Sequence, residues 1–519
     1  MNRDEMIAAL EEQKGPFDMV IIGGGATGVG TALEAASRGY RTLMLEQSDF
    51  AKGTSSRSTK LIHGGVRYLQ QGNISLVLEA LKERGILLRN APHLVSNLPF
   101  IVPNYDWWEG PFYGIGLKLY DMLAGKEGFG SSKILSREKT IEYLPTIETD
   151  GLNGGVIYYD GQFDDSRLVI NLAQTAAEQG ALIINYMKVT ALPCKGGIIS
   201  GVRAVDMESG REFEIASRVV INATGVFADD VRRLEDARAQ AMIHPSQGVH
   251  IVLDQSFLPG KTAIMVPHTD DGRVLFAIPW HERVLVGTTD TPVRATSLEP
   301  KPFQEELDFL LSHAARYLTK DPTPNDVLSA FAGLRPLVSS SDEENTAAIS
   351  RDHTVHISRG GLVTITGGKW TTYRKMAEDT VDQAALLAQL EPRPSITRNL
   401  NIHGYHHHPE NFGTLKDYGS DALKIRELVD EKKDFAQPLH EQVSVLKGEV
   451  VWAVRREMAR TVEDFLARRR RLLLLDARLS MKVAPDVAAL MAGELGKNRK
   501  WQKAQVDEYR KLAQNYLIT

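Results

Sequence analysis

Residues 17–47 read FDMVIIGGGATGVGTALEAASRGYRTLMLEQ, and the order of apolar runs and glycines in them decides the fold class. Residues 19–22 form a short apolar run suited to a buried parallel strand, residues 26–37 have helix-forming composition, and residues 42–45 make a second strand. Gly23, Gly25 and Gly28 fit G-x-G-x-x-G, with Thr27 in the same turn. Glycines at this spacing permit a tight turn, close approach of backbone to a pyrophosphate, and close packing of helix on sheet. The helix N-terminus offers N–H groups and partial positive charge to phosphates. Glu46 follows Gly28 by eighteen residues, where a carboxylate accepts hydrogen bonds from an adenosine ribose and disfavours a 2'-phosphate. The unit is therefore a dinucleotide site, with FAD and NAD both open.

Two later segments favour FAD. Residues 218–225, RVVINATG, read as a buried strand ending in the small-residue loop Ala223, Thr224, Gly225. Residues 362–375, LVTITGGKWTTYRK, read as a strand, a glycine turn at Gly368 and a helix starting near Trp370. Such a helix start suits a flavin, whose reduced ring carries negative charge that N–H groups stabilise. No second G-x-G-x-x-G lies in a strand-turn-helix context, so a bound nicotinamide partner is not expected.

The 519 residues exceed the usual limit for one hydrophobic core, which predicts two or three domains. With 61 basic and 66 acidic residues, the net charge of -5 gives no reason to expect a nucleic-acid surface. The one cysteine, Cys194, excludes an internal disulfide framework, favours a reducing compartment, and is expected as a small buried side chain. The acidic N-terminus is unlike a secretory signal or an Arg-rich transit peptide and is expected to stay attached. No window approaches the roughly 20 apolar residues of a membrane-spanning helix. Any membrane contact is expected to be peripheral.

With these residues in view, the chain resembles the FAD-dependent glycerol-3-phosphate dehydrogenases, flavoproteins that pass electrons to quinone. The resemblance rests on IIGGGATGVG, TKLIHGGVRYL, GVHIVL, VLVGTTD, GLRPL, ISRDHT and GGKWTTYRKMA, in family order from residue 21 to residue 377. One departure is Glu34, where the family usually has Asp in the first helix. The resemblance implies an α/β fold: an FAD-binding Rossmann-like domain with an inserted, mainly antiparallel substrate-binding lobe, and an α-helical C-terminal domain. The FAD part is expected over about 14–90, 160–240 and 341–390, the substrate lobe over about 91–159 and 241–340, and the helical domain over 391–519.

The hydroxyl-rich stretch 54–70, TSSRSTKLIHGGVRYLQ, then serves two ligands. Thr54, Ser55, Ser56, Ser58 and Thr59, with Lys60 and Leu61, are expected along the flavin, and Gly64 and Gly65 let the backbone pass close to the ring. His63 lies between the two ligands. Among the cofactor contacts the resemblance also implies Val189, Gly368, Lys369, Trp370 and Thr371. A phosphomonoester calls for fork-shaped donors, and Arg67, Arg335 and Lys369 sit in strand-end or glycine-flanked contexts that suit a phosphate pocket. Tyr68 and Arg351 join them as substrate contacts, Arg351 with the alternative of pairing to Asp352 or Asp342. Oxidation at C2 of glycerol 3-phosphate needs a base for the hydroxyl proton. His250 in GVHIVL is the first candidate and His63 the second, with Lys369 able to stabilise an alkoxide-like transition state.

Residues 247–290 read as antiparallel strands with a hairpin turning at His281 and Glu282. Val450, Val454, Met458, Val462 and Phe465 recur at helical spacing. His406, His407 and His408 are consecutive in a linker and are read as solvated, with no metal expected. Arg468–Arg471 are read as a charged helix turn before core leucines, with contact to anionic lipid as the alternative. The aromatic residues of 103–123, among them Trp107, Trp108, Phe112, Tyr113 and Tyr120, suit either core or a membrane interface. The expected function is oxidation of sn-glycerol 3-phosphate to dihydroxyacetone phosphate, electrons passing to a membrane quinone at the cytoplasmic membrane, with a homodimer left open. The alternatives are a glycerol-3-phosphate oxidase using O2, an amine oxidase on the same fold, and a non-catalytic flavin sensor.

Overall fold

The computed structural model describes residues 1–65, 73–106, 109–125, 128–270, 272–338 and 353–518. Arg67, Tyr68, Trp107, Trp108 and Arg351 lie outside the described residues.

The strand Phe17–Ile22 lies inside a sheet ordered His353–Ile357, Leu362–Gly367, Glu212–Asn222, Phe17–Ile22, Thr42–Leu45, Leu182–Ile184. Along that order every pairing is parallel except that of the His353–Ile357 edge, and Gly201–Asp206 and Met187–Ala191 extend the sheet antiparallel beside Glu212–Asn222. Helices cover both faces, so Met19, Val20 and Ile21 are all fully buried and the strand reads as continuously apolar rather than alternating. The helix Ala26–Ser37 packs between Tyr373–Leu387 and Asp165–Glu178. Its Glu34 is buried, paired with Arg38 at 2.7 Å and accepting from Thr397 Oγ1 at 2.5 Å, so the glutamate serves helix packing.

A second, mostly antiparallel sheet carries the substrate side. Its long pair is Ile243–Asp254 with Val327–Val338, in a register that sets His250 opposite Phe331 and Ser246 opposite Arg335. Side chains alternate along a strand, so these four share one face. The hairpin Leu275–Trp280 to Arg283–Gly287 turns at His281 and Glu282, both with positive φ, as a two-residue turn matched to strand twist requires. The strand Gly154–Phe163 also belongs to this sheet and runs across the expected lobe boundary near residue 160.

The C-terminal region is helical, with Lys447–Glu457, Ala477–Leu495 and Arg499–Ala513 as its main helices. The apolar repeat from Val450 to Phe465 is not one helix. Met458 adopts a left-handed conformation with φ 54° and stops the first helix, and Phe465 lies in a separate turn, Asp464–Arg469. Leu472, Leu473 and Leu474 join Phe100, Trp280 and Phe331 in one apolar cluster, so this region covers a face of the second sheet.

Two expectations are corrected here. Arg468–Arg471 do form the charged turn before core leucines, but Arg468, Arg469 and Arg471 are buried rather than lipid-facing, because Asp49, Glu457, Asp464 and Asp165 meet them as the helical region docks. Cys194 is exposed, not buried: it sits on a two-residue hairpin strand, Cys194–Lys195, outside the packed layers.

Candidate active site

The carboxyl ends of the parallel strands open onto a cleft of about 580 Å³, where open α/β sheets bind their ligands. Gly23, Gly25, Thr27 and Glu46 line one part of it, with Val189 nearby. Ala223, Thr224 and Gly225, in the loop after Glu212–Asn222, also line the cleft, as do Thr54, Ser55, Gly368, Lys369 and Trp370.

The cleft has the cradle a dinucleotide needs. A Cβ on Gly23 would stand 2.6 Å from the Ala223 carbonyl oxygen, at a φ of 112° that other residues rarely adopt. A Cβ on Gly28 would stand 1.9 Å from the Gly23 carbonyl oxygen, so Gly28, off the lining, lets helix pack on strand. Gly25 caps the helix without a side chain, and Ser55 Oγ accepts from Ala26 N at 2.9 Å. Glu46 accepts from the N–H of Gly24 at 2.6 Å and of Ser48 at 2.8 Å, holding the glycine turn from below. Burial raises its pKa despite those bonds. A polar strip along a cleft of this volume fits FAD, since organic cofactor pockets span ~300–1,000 Å³.

A second chamber of about 220 Å³ adjoins the first and shares Thr54, Pro336, Gly367, Gly368, Lys369 and Trp370 with it. Thr59, Leu61, His63, His250, Arg335 and Thr371 line this smaller space. The fold thus brings together side chains from four distant segments. Trp370 starts a short 3₁₀ turn, Trp370–Thr372, running into Tyr373–Leu387, and its Nε1 donates to the Ser55 carbonyl at 3.0 Å.

Arg335 is oriented from behind. Nη1 donates to Asp290 Oδ1 at 3.0 Å, and Nη2 to the Thr289 carbonyl at 3.0 Å and Thr288 Oγ1 at 3.3 Å. His250 is buried, stacked on Phe331 with ring centroids 5.1 Å apart, and its Nε2 lies 3.0 Å from Thr59 Oγ1. Burial, then the charges of Lys60 and Arg335, hold its pKa well below the ordinary value. It is therefore neutral at pH 7, with its proton affinity lowered. His63 is fixed through its backbone, its N–H donating to Thr371 Oγ1 at 3.2 Å. Next to it, Gly64 N donates to Tyr120 Oη at 2.7 Å, and Tyr120 in turn donates to Asp160 at 2.9 Å. A Cβ on Gly64 would stand 2.6 Å from that phenol oxygen, so Tyr120 is what demands glycine there.

Ser56 and Lys60, expected along the flavin, lie off both linings, as do Gly28, Gly64 and Gly65. Ser56 is buried, with Oγ donating to the Gly53 carbonyl at 3.4 Å. Lys60 is fully buried and donates to Asp165 Oδ2 at 2.7 Å and the Ser56 carbonyl at 2.9 Å. Its ammonium closes a core ion pair instead of facing the cleft. Asp290, Tyr120 and Asp165 were missed as site residues. Asp290 stands in the VLVGTTD segment, the one local cue among them.

A parallel sheet with a dinucleotide cleft, joined at a glycine turn to a chamber on an antiparallel lobe, defines a flavin-dependent oxidoreductase. Residues 18–374 match the family described as FAD dependent oxidoreductase, and residues 363–505 match the C-terminal domain of alpha-glycerophosphate oxidase. The chain is 40% identical over 551 residues to a mitochondrial glycerol-3-phosphate dehydrogenase of Macaca fascicularis, covering 99% of this chain and 75% of that protein. The Homo sapiens protein of the same name is 40% identical over 545 residues, covering 98% and 75%. A solved structure of glycerol-3-phosphate dehydrogenase from Bacillus halodurans complexed with FAD superposes with a TM-score of 0.81 at 30% identity, covering 99% of this chain and 98% of that one. The chain belongs to the FAD-dependent glycerol-3-phosphate dehydrogenase family.

Proposed function

We propose that the chain oxidises sn-glycerol 3-phosphate to dihydroxyacetone phosphate in the smaller chamber, with FAD in the larger cleft and quinone as electron acceptor. The carrying observation is the seam Gly367–Trp370, which belongs to both cavities and opposes His250 and Arg335. Bound FAD supplies the hydride acceptor. The phosphate, nearly doubly charged, pairs with Arg335, whose fork Asp290 holds in place. Arg67, Tyr68 and Arg351, which the resemblance puts at the substrate, complete the reading. Lys369 at the seam favours the alkoxide-like oxygen developing at C2. His250, neutral because it is buried between cations, takes the hydroxyl proton, and the incoming phosphate charge raises its proton affinity as substrate arrives. His63 is the second candidate for that role.

A lipid surface near the site is supported by the helix Glu109–Ala124. Phe112, Ile115, Leu119 and Met122 are exposed along one of its sides, Ile115 to 74% and Met122 to 78%. Ile74 and Leu78 of the neighbouring helix Ile74–Asn90 are also exposed. An apolar stripe of this kind fits shallow insertion at a membrane interface. Among the described residues no helix is long and apolar enough to cross a membrane.

Anaerobic titration tests the reading: glycerol 3-phosphate bleaches the flavin absorbance and glycerol does not. A soluble quinone analogue then reoxidises the enzyme faster than air-saturated buffer. Stoichiometric peroxide without quinone reduction would assign the oxidase activity instead, and failure of glycerol 3-phosphate to bleach the flavin would refute the substrate.

A further inference from the structure

The carboxylate of Asp165, at the start of helix Asp165–Glu178, is fully buried and joins two parts of the chain. Its Oδ2 accepts from Ser58 N at 3.0 Å, Ser58 Oγ at 2.7 Å and Lys60 Nζ at 2.7 Å. Its Oδ1 accepts from Arg471 Nη2 at 2.9 Å. Arg471 also donates to the Ser56 carbonyl at 2.6 Å, and Lys60 donates to the same oxygen at 2.9 Å. Ser56, Ser58 and Lys60 are thus all tied to one buried cluster. Between the last two sits Thr59, whose hydroxyl turns into the substrate chamber and meets His250 Nε2 at 3.0 Å. Among the described residues Nδ1 of His250 has no hydrogen-bond partner, so Thr59 is the polar contact that orients the ring.

Arg471 comes from the far end of the chain. It stands in a left-handed conformation with φ 60° directly before Leu472–Leu475, of which Leu472, Leu473 and Leu474 are buried against the second sheet. Its guanidinium is further held by the Ala467 carbonyl at 2.9 Å and Ser166 Oγ at 2.7 Å. The docking of the helical region therefore fixes where Arg471 sits. Arg471 fixes Asp165, and Asp165 fixes the loop that lines both cavities.

We propose that Arg471, acting through Asp165, is a positioning residue for the oxidation: it sets the loop 56–60 so that Thr59 holds the imidazole of His250 toward the substrate. This rests on the assignment of His250 as proton acceptor. The C-terminal helical region is then part of the catalytic apparatus without touching substrate or flavin.

The test uses the full-length holoenzyme and the variants Arg471→Lys, Ser58→Ala and His250→Gln. Arg471→Lys keeps the charge and loses the fork, while Ser58→Ala removes the hydroxyl's bond to Asp165 and the one it accepts from Lys60 N, and leaves every buried charge paired. FAD content, unfolding temperature, and the anaerobic rate of flavin reduction by glycerol 3-phosphate per bound FAD are measured across neutral pH. The expected result is slower reduction in Arg471→Lys by about tenfold or more, since small misplacements of reacting groups cost this much, with a smaller loss in Ser58→Ala. In both variants the pH profile of reduction shifts. A clamp with only a structural role would lower the unfolding temperature and leave rate per FAD and pH profile unchanged in both, which overturns the proposal. Should Arg471→Lys fail to fold, Ser58→Ala decides alone. If His250→Gln reduces at the wild-type rate, the assignment of His250 falls and the proposal with it. If His250→Gln is slow while the other two match wild type, only the positioning proposal falls.

Discussion

Arg335→Ala removes from the strand Val327–Val338 a guanidinium that donates to Asp290 at 3.0 Å and to the Thr289 carbonyl at 3.0 Å. Two losses add. A charge-assisted fork to the phosphate disappears, worth ~1.5–3 kcal/mol. Asp290, with 11% of its side chain exposed, loses the Arg335 guanidinium and sets a negative charge beside a substrate of the same sign. The Arg335 side chain is 21% exposed, so solvent screens part of both effects. A total near 3 kcal/mol corresponds to about a 10²-fold fall in kcat/KM. Arg335 lines only the smaller chamber, so bound FAD should be unchanged. Stopped-flow measurement of anaerobic flavin reduction against glycerol 3-phosphate concentration reads the effect directly. Arg335→Lys, which keeps charge without the fork, should fall between Ala and wild type. Adding Asp290→Ala to Arg335→Ala should recover part of the loss, because the repulsion goes with the carboxylate. A reduction rate for Arg335→Ala within about threefold of wild type at low substrate would refute the phosphate assignment.

His250→Gln should retain FAD and slow flavin reduction by ~10²–10⁴, the usual worth of a general base; a loss below about tenfold in the same assay would move the role to His63. Gly23→Ala should purify without FAD, because the new Cβ meets the Ala223 carbonyl at 2.6 Å; stoichiometric bound flavin, measured after denaturation, would contradict that. His93 is buried and its pKa is held down to about 3, first by burial and then by the charge of Arg167, against an ordinary 6.5. As pH falls below 6.5 the unfolded chain takes up a proton there that the folded chain refuses until about 3, so stability should fall with acid. The slope from this group is ~1.4 kcal/mol per pH unit. His403, raised to about 9 by Asp421 and Glu178 against the cost of burial, has its contribution fully present below the ordinary value and lost as pH rises through 9, so it does not offset the acid loss. Denaturant unfolding across pH should show a shallower acid slope for His93→Gln, and equal slopes would refute the reasoning.

The fingerprint strand, glycine turn and helix were determined by sequence alone, because each depends on local properties: apolar runs, helix-forming composition and glycines at positions no side chain can occupy. The same holds for the turn at His281 and Glu282 and for the short helix start at Trp370. Resemblance across seven separated segments named His250, Arg335 and Lys369, which the folded chain brings to one seam. What surrounds them was decided only in three dimensions. Lys60 looked like a flavin ligand because the resemblance implies that role for the whole stretch, yet its ammonium turns to Asp165, more than a hundred positions away. Arg468–Arg471 looked like a charged helix turn with anionic lipid as the alternative contact, since nothing local names a protein partner for four cations in a row. Burial of most of that run became affordable only where Asp49, Asp165, Glu457 and Asp464 converge on it from separate parts of the chain. Asp290 behind Arg335 and Tyr120 behind Gly64 follow the same rule. Composition and spacing report what a segment prefers by itself, whereas the partner of a buried charge or the wall behind a glycine is set by whatever packs opposite, which local sequence does not encode.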